Sequence, residues 1–118
     1  LLGGIGDTIA NLQEAIDGED YETTTMYPDF AAVAKEEGNM EAAMKFEQIG
    51  RVEADHRDRY KKLMARVKAG TVFTRDEPIT WKCSLCGYKH QGTEPPEKCP
   101  ACQHPKEYYE PANLDNDL

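Results

Sequence analysis

The 118-residue chain keeps all four of its cysteines in two CxxC pairs, Cys83 with Cys86 and Cys99 with Cys102, twelve residues apart. Paired thiols on two tight turns present a tetrahedral four-sulfur site, which suits iron or zinc. Gly87 follows the first pair where such a turn needs positive φ, so that backbone N–H groups can approach sulfur. The spacing by itself leaves the metal open, and a zinc ribbon is as good a reading as an iron site. His90 and His104 lie nearby, but with four thiolates at hand they read as surface residues. Trp81, Tyr88 and Tyr108 are the expected small core of this module.

A second constellation is acidic. In FEQIGRVEADHRDRY, residues 46 to 60, the helical stripe runs Phe46, Ile49, Glu53, His56, Tyr60 and places a carboxylate and an imidazole among apolar positions. Glu53 and His56 are three apart and share a helix face, as do Glu19 and Glu22 further upstream. A buried carboxylate with no partner loses several kcal/mol of hydration, and three at one level repel each other. Proton uptake with raised pKa or a bound cation relieves this. No Lys or Arg lies on either stripe. An oxygen-rich set with one His suits iron or manganese better than structural zinc.

The elements that must position these groups follow from caps and periodicity. Asp7 opens a helix over residues 8 to 37 that Gly38 closes; Asn39 caps a second that runs to about Ala69 and stops at Gly70. Each arm is ~45 Å long at the α-helical rise, and the Gly-Asn connection makes them an antiparallel hairpin. Pro28 predicts a kink near Tyr27. Ile9, Leu12, Ile16, Glu19, Thr23, Met26, Phe30 and Val33 on the first arm, and Phe46 through Leu63 and Val67 on the second, step by threes and fours, the rhythm of a bundle seam. Folding about residues 38 and 39 brings Glu19, Glu22, Glu53 and His56 to one level. TVFTRDEPIT reads as a linker with one possible short strand, and NLDNDL as a mobile acidic tail.

Carboxylate-bridged two-metal bundles use a Glu from each of two helices and Glu-x-x-His from each of the other two. This chain carries one of each, half a site on half a bundle. A lone hairpin leaves its seam wet, so it needs a second helix pair or a second copy about a two-fold axis.

The totals agree. Fourteen basic residues stand against 22 acidic ones, a formal net charge of -8, which argues against nucleic acid and gives no reason for an anionic membrane. No apolar run reaches the ~20 residues of a membrane span. LLGGIG is too short and uncharged for a signal peptide, and a chain opening Leu-Leu reads as a fragment or a processed product. Clustered reduced cysteines make the cytoplasm the default location.

GDTIANLQEAIDGEDYETTTMYPDFA, the VEADH stretch and WKCSLCGYKHQGTEPPEKCPAC together resemble the rubrerythrin family over nearly the whole chain, with LGGIGDT similar to the crossover into its third helix. The resemblance implies an α-plus-small-β/turn architecture: residues 1–70 as half of a ferritin-like four-helix bundle, 71–80 as linker, 81–112 as a rubredoxin-like FeS4 domain and 113–118 as acidic tail. It implies two non-haem irons in an oxo- and carboxylate-bridged centre held by Glu19, Glu22, Glu53 and His56, with Glu53 bridging. Glu22 would be the carboxylate that exchanges places with a His, and Tyr27 would hydrogen-bond a ligand carboxylate. Cys83, Cys86, Cys99 and Cys102 would hold one iron. Gln103 departs from the small residue usual at its turn, and the helices with the remaining ligands are absent.

The implied activity is reduction of hydrogen peroxide to water, with electrons passing from an NAD(P)H-linked reductase or rubredoxin through the FeS4 centre. Some fourteen helical residues separate His56 from Gly70, or ~20 Å. Transfer to a neighbouring subunit, in a head-to-tail homodimer or higher oligomer, is therefore expected. Two other readings stand beside it: a ferritin-like iron-oxidising or oxygen-reducing protein, and a zinc-ribbon interaction module on a helical hairpin.

Overall fold

A computed structural model describes residues 4–118; the first residues of LLGGIG lie outside them. The chain divides into two compact units, the first ending at Ala65 and the second running Arg66–Leu118. Helix α1 spans Thr8–Tyr21, α2 Tyr27–Glu36 and α3 Met40–Ala69. Asp7 caps α1 by accepting the Ala10 N–H at 2.8 Å. At the hairpin turn Gly38 takes φ +79°, and Asn39 N–H reaches Ala34 O at 2.8 Å while Gly38 N–H reaches Lys35 O at 3.0 Å. That pair of bonds is a Schellman closure, which needs a residue free to adopt the left-handed region. Asn39 Oδ1 then accepts the Ala42 N–H at 3.1 Å and starts α3.

The kink expected near Tyr27 takes a definite form. Residues Glu22–Met26 make a π turn between α1 and α2, with the Tyr27 N–H bonding to Glu22 O. Pro28 supplies no N–H and crowds the carbonyl four residues back, and the wider turn accommodates both defects. Thr24 Oγ1 donates to Asp20 O at 2.7 Å, a local competitor for the helical ladder at the same place.

The two arms meet through small residues. Ala31, Ala34 and Ala43 are buried, and a Cβ on Gly50 would lie 3.4 Å from Tyr27 Cβ. Tyr27, Phe30 and Phe46 stack at one end of this contact, with ring centroids 5.4 to 6.2 Å apart. Much of the seam stays open: Ile9, Phe30, Val33 and Ile49 are 37 to 50% exposed. Two helices can bury only the strips that face each other, while bundle-seam side chains point toward an axis that a hairpin alone does not enclose. Among the described residues no helix is long and apolar enough to cross a membrane.

In the second unit, β1 Ile79–Cys83, β2 Lys89–Gly92 and β3 Tyr109–Pro111 form an antiparallel sheet in the order β2-β1-β3. Trp81 pairs with His90 on one side and Pro111 on the other. Trp81, Cys83, Cys99 and Tyr109 form the core, with Phe73, Ile79 and Cys102 packed on it. This corrects the expected aromatic set. Tyr108 ends the 3-10 turn Lys106–Tyr108 and is 40% exposed, and Tyr88 is 38% exposed. Strand alternation turns Tyr109 and Pro111 inward and Glu110 outward.

Residues 71–80, read as a linker, belong to this unit through Arg75. Its buried guanidinium donates to Thr71 O, Val72 O, Thr74 O and Asp117 O at 2.8 to 3.2 Å and lies 5.1 Å over the Trp81 ring. The tail read as mobile is instead a helical turn, α4 Leu114–Asp117, capped by Asn113 and tied by that Arg75 bond.

Candidate metal centres

On the hairpin, α1 carries Glu19 and α3 carries Glu53 and His56, and their ligand atoms lie within 4.8 Å of one another. His56 Nδ1 stands 3.0 Å from Glu53 Oε2 and 3.5 Å from Glu19 Oε1. The two carboxylates are largely withdrawn from water, with 17 and 16% of their side chains exposed, while half of the imidazole is open. Glu19 Oε2 is buried with no hydrogen-bond partner. Burial, then the facing Glu53 carboxylate and the charge of Glu22, push the Glu19 carboxyl up to about 7, with His56 pulling the other way. An orphaned buried oxygen beside a second carboxylate and an imidazole is a donor set that fits a hard or borderline cation.

Glu22 is outside this cluster. It begins the π turn, and its charge is still felt at Glu19. Counting outward from the hairpin turn at a uniform rise sets Glu22 at the level of Glu19, Glu53 and His56, and of these the last three have their ligand atoms gathered. Tyr27 rests on Phe30 and Phe46, and among the described residues no hydrogen bond joins it to a carboxylate. Arg57 is a neighbour that the stripes do not include. It binds Asp20 at 2.9 Å across the hairpin and Asp58 at 3.2 Å, so this guanidinium is engaged beside the cluster rather than in it. Asp20 and Arg57 each follow a cluster residue by one position, which is the signal that could have found the pair.

In the second unit the two CxxC turns are near-duplicates. Gly87 N–H bonds to Cys83 O and Gln103 N–H to Cys99 O, both at 2.8 Å; Cys83 N–H bonds to Tyr88 O and Cys99 N–H to His104 O, again at 2.8 Å. Gly87 has φ +84° and Gln103 φ +66°, so the second turn forces a side-chain-bearing residue into the left-handed region. His104 stacks on Tyr108 at 4.8 Å, and its Nδ1 lies 3.1 Å from Cys102 O. Neither it nor His90 joins the sulfur cluster.

The sulfurs pair at 3.7 Å for Cys83 with Cys102 and 3.6 Å for Cys86 with Cys99. Metal–sulfur bonds of ~2.3 Å in a tetrahedron require edges of about 3.8 Å, so the spacing fits. The electrostatics fit as well. The Cys86 N–H leads the groups that lower the Cys83 thiol. Burial opposes charge on Cys99, yet the nearby Tyr109 hydroxyl and the Cys102 and Ala101 amides outweigh it and hold the thiol at about 6. Cys102 has the His104 amide in its favour, but burial and the three neighbouring sulfurs push it up to about 12. Four thiols at this distance ionise together only when a cation takes up their charge.

The family model described as rubrerythrin matches residues 3–64, and that described as the rubrerythrin rubredoxin-like domain matches residues 81–110. A rubrerythrin of Porphyromonas gingivalis is 50% identical over 109 residues, covering 92% of this chain and 54% of the relative. A rubrerythrin of Nitratidesulfovibrio vulgaris is 46% identical over 108 residues, covering 92% and 56%. A solved structure of partially reduced nigerythrin superimposes with a TM-score of 0.53 at 35% identity, covering 92% of this chain and 52% of that one. Another nigerythrin structure is described as fully reduced and all ferrous. The chain thus spans about half the length of the curated relatives it matches.

Proposed function

The chain belongs to the rubrerythrin family, and from that premise we propose that it serves a non-haem di-iron peroxidase, which reduces hydrogen peroxide to water with electrons relayed through iron in the four-cysteine site. The observation that carries the proposal is the convergence of Glu19, Glu53 and His56 on one another, in a chain that also holds four sulfurs at tetrahedral spacing. One Glu and one Glu-x-x-His are half of a carboxylate-bridged two-metal set. The other half comes from a helix pair preceding this segment in a longer protein or from a second copy, and the open seam is the surface it covers.

A bound di-ferrous pair would supply two electrons, which with two protons reduce peroxide to two waters, and this chain's residues would hold and orient it. Glu19, Glu53 and His56 would hold the irons, Glu53 as the shared carboxylate and Glu19 and His56 as terminal donors. Glu22, one turn away and outside the cluster, is the spare carboxylate that can move in without emptying the site. Cys83, Cys86, Cys99 and Cys102 would hold an iron suited to relaying single electrons from a rubredoxin or NAD(P)H-linked reductase, with the di-iron site of a neighbouring subunit in a homodimer or larger assembly as acceptor. Reduced cysteines of this kind suit the cytoplasm.

The test is anaerobic. The iron-loaded protein is reduced until the colour of its four-cysteine site bleaches, then mixed with peroxide or with oxygen. Prompt return of colour with peroxide, lost in Glu53→Ala, is expected. Equal or faster return with oxygen, or iron deposition outpacing peroxide turnover, would point to the iron-oxidising reading. A colourless protein that holds only zinc would overturn both.

A further inference from the structure

Tyr109 sits directly opposite Cys83 in the β1–β3 pairing, and both face the core with Cys99 and Trp81. The residue is 4% exposed, and its hydroxyl oxygen is buried with no hydrogen-bond partner. A phenylalanine would fill the same volume without burying a polar group, so the hydroxyl calls for an explanation. Acceptors are scarce around it. The Trp81 indole N–H is a donor only and is committed to Gly92 O at 3.0 Å. Phe73 and Ile79 offer none. What remains in this core are the cysteine sulfurs. Cys83, directly across the ladder, supplies one, and Cys99 and Cys102 supply the others.

We propose that the Tyr109 hydroxyl donates a hydrogen bond to one of these ligand sulfurs in the metal-loaded site and thereby raises the site's reduction potential. Backbone N–H groups serve such sulfurs in the two duplicate turns, and Tyr109 adds a side-chain donor. Reduction of an iron held by four thiolates adds one negative charge, so a donor to sulfur stabilises the reduced form more than the oxidised one. Tyr109 is in this sense a positioning residue: it touches the ligand, not the metal or a substrate. The inference rests on the four-cysteine site holding iron, which its colour reports independently.

The experiment is a spectroelectrochemical titration of the iron held by the four cysteines in the full chain. Tyr109→Phe should keep the colour and shift the reduced-to-oxidised ratio about tenfold toward oxidised, ~59 mV lower for one electron. Site-specific 3,5-difluorotyrosine at 109, a stronger donor of nearly the same shape, should shift the potential the opposite way, and it remains informative if Tyr109→Phe folds poorly. Potentials that coincide with wild type in folded, coloured protein would overturn the proposal, whatever happens to thermal stability. A wild-type protein with no iron colour would overturn the iron reading, and this inference with it.

Discussion

The imidazole Nδ1 of His56 lies 3.5 Å from Glu19 Oε1, so a histidine on one arm of the hairpin and a carboxylate on the other stand at one level. Glu53 completes the level from the side of His56, at 3.0 Å. Three donors are thus held together by a two-helix contact built from alanines and a glycine. Small residues allow close approach, and the close approach brings the carboxylates within reach of one another.

Glu19 makes the metal-free hairpin sensitive to pH. Its carboxyl sits at about 7 against an ordinary 4.5, chiefly because burial and then Glu53 disfavour its charge. A folded-state pKa above the unfolded value means a contribution fully present below about 4.5 and lost as pH rises toward about 7. At 1.36 kcal/mol per unit the loss is about 3 kcal/mol. Urea unfolding of chelator-treated protein at pH 4.5 and 7.5 should show it, and Glu19→Gln should remove most of the difference. An unchanged difference in that variant would rule out Glu19 as its source.

Replacing Glu22 separates a spare carboxylate from a holding one. Glu22→Ala should slow peroxide turnover roughly tenfold or more while the colour of the four-cysteine site and its reduction persist. His56→Ala should instead abolish iron uptake by the hairpin, read by metal analysis. Identical kinetics for Glu22→Ala and wild type would end the role assigned to Glu22.

The duplicate turns offer an internal control on backbone strain. Gln103 carries a side chain at φ +66°, whereas Gly87 occupies the matching place with open space around its missing Cβ. Gln103→Gly should stabilise the metal-binding unit by about 1 kcal/mol and Gly87→Ala should destabilise it by a similar amount, a shift of several °C each way. Metal content must be equal in the compared samples. A loss of stability in Gln103→Gly would show that the side chain contributes more than the strain costs.

Trp81 reports on metal removal. It is the chain's single tryptophan, fully buried among the cysteines and beneath Arg75. A unit this small draws a folding contribution of order 10 kcal/mol from its metal. Chelation, or Cys99→Ser, should therefore red-shift the Trp81 emission while the helical circular dichroism of α1 to α3 largely remains. An unshifted emission from metal-free protein would mean that the small core folds without the ion.

Much of this was legible one residue at a time. Asp7, Gly38, Asn39 and Gly70 mark helix ends through local hydrogen bonds and glycine's freedom, and a CxxC pair closes on itself within a few residues. Glu53 and His56 share a face because three residues make nearly one turn. Such features depend on neighbours in sequence, so sequence determined them. Tertiary structure decided what depends on distant partners: which carboxylates of α1 meet those of α3, the choice of Tyr109 over Tyr108 and Tyr88 for the core, and the burial of Arg75 under four carbonyls. Each of these turns on register, on which hydrogen bonds two remote segments can complete together, and no periodicity in the chain encodes that.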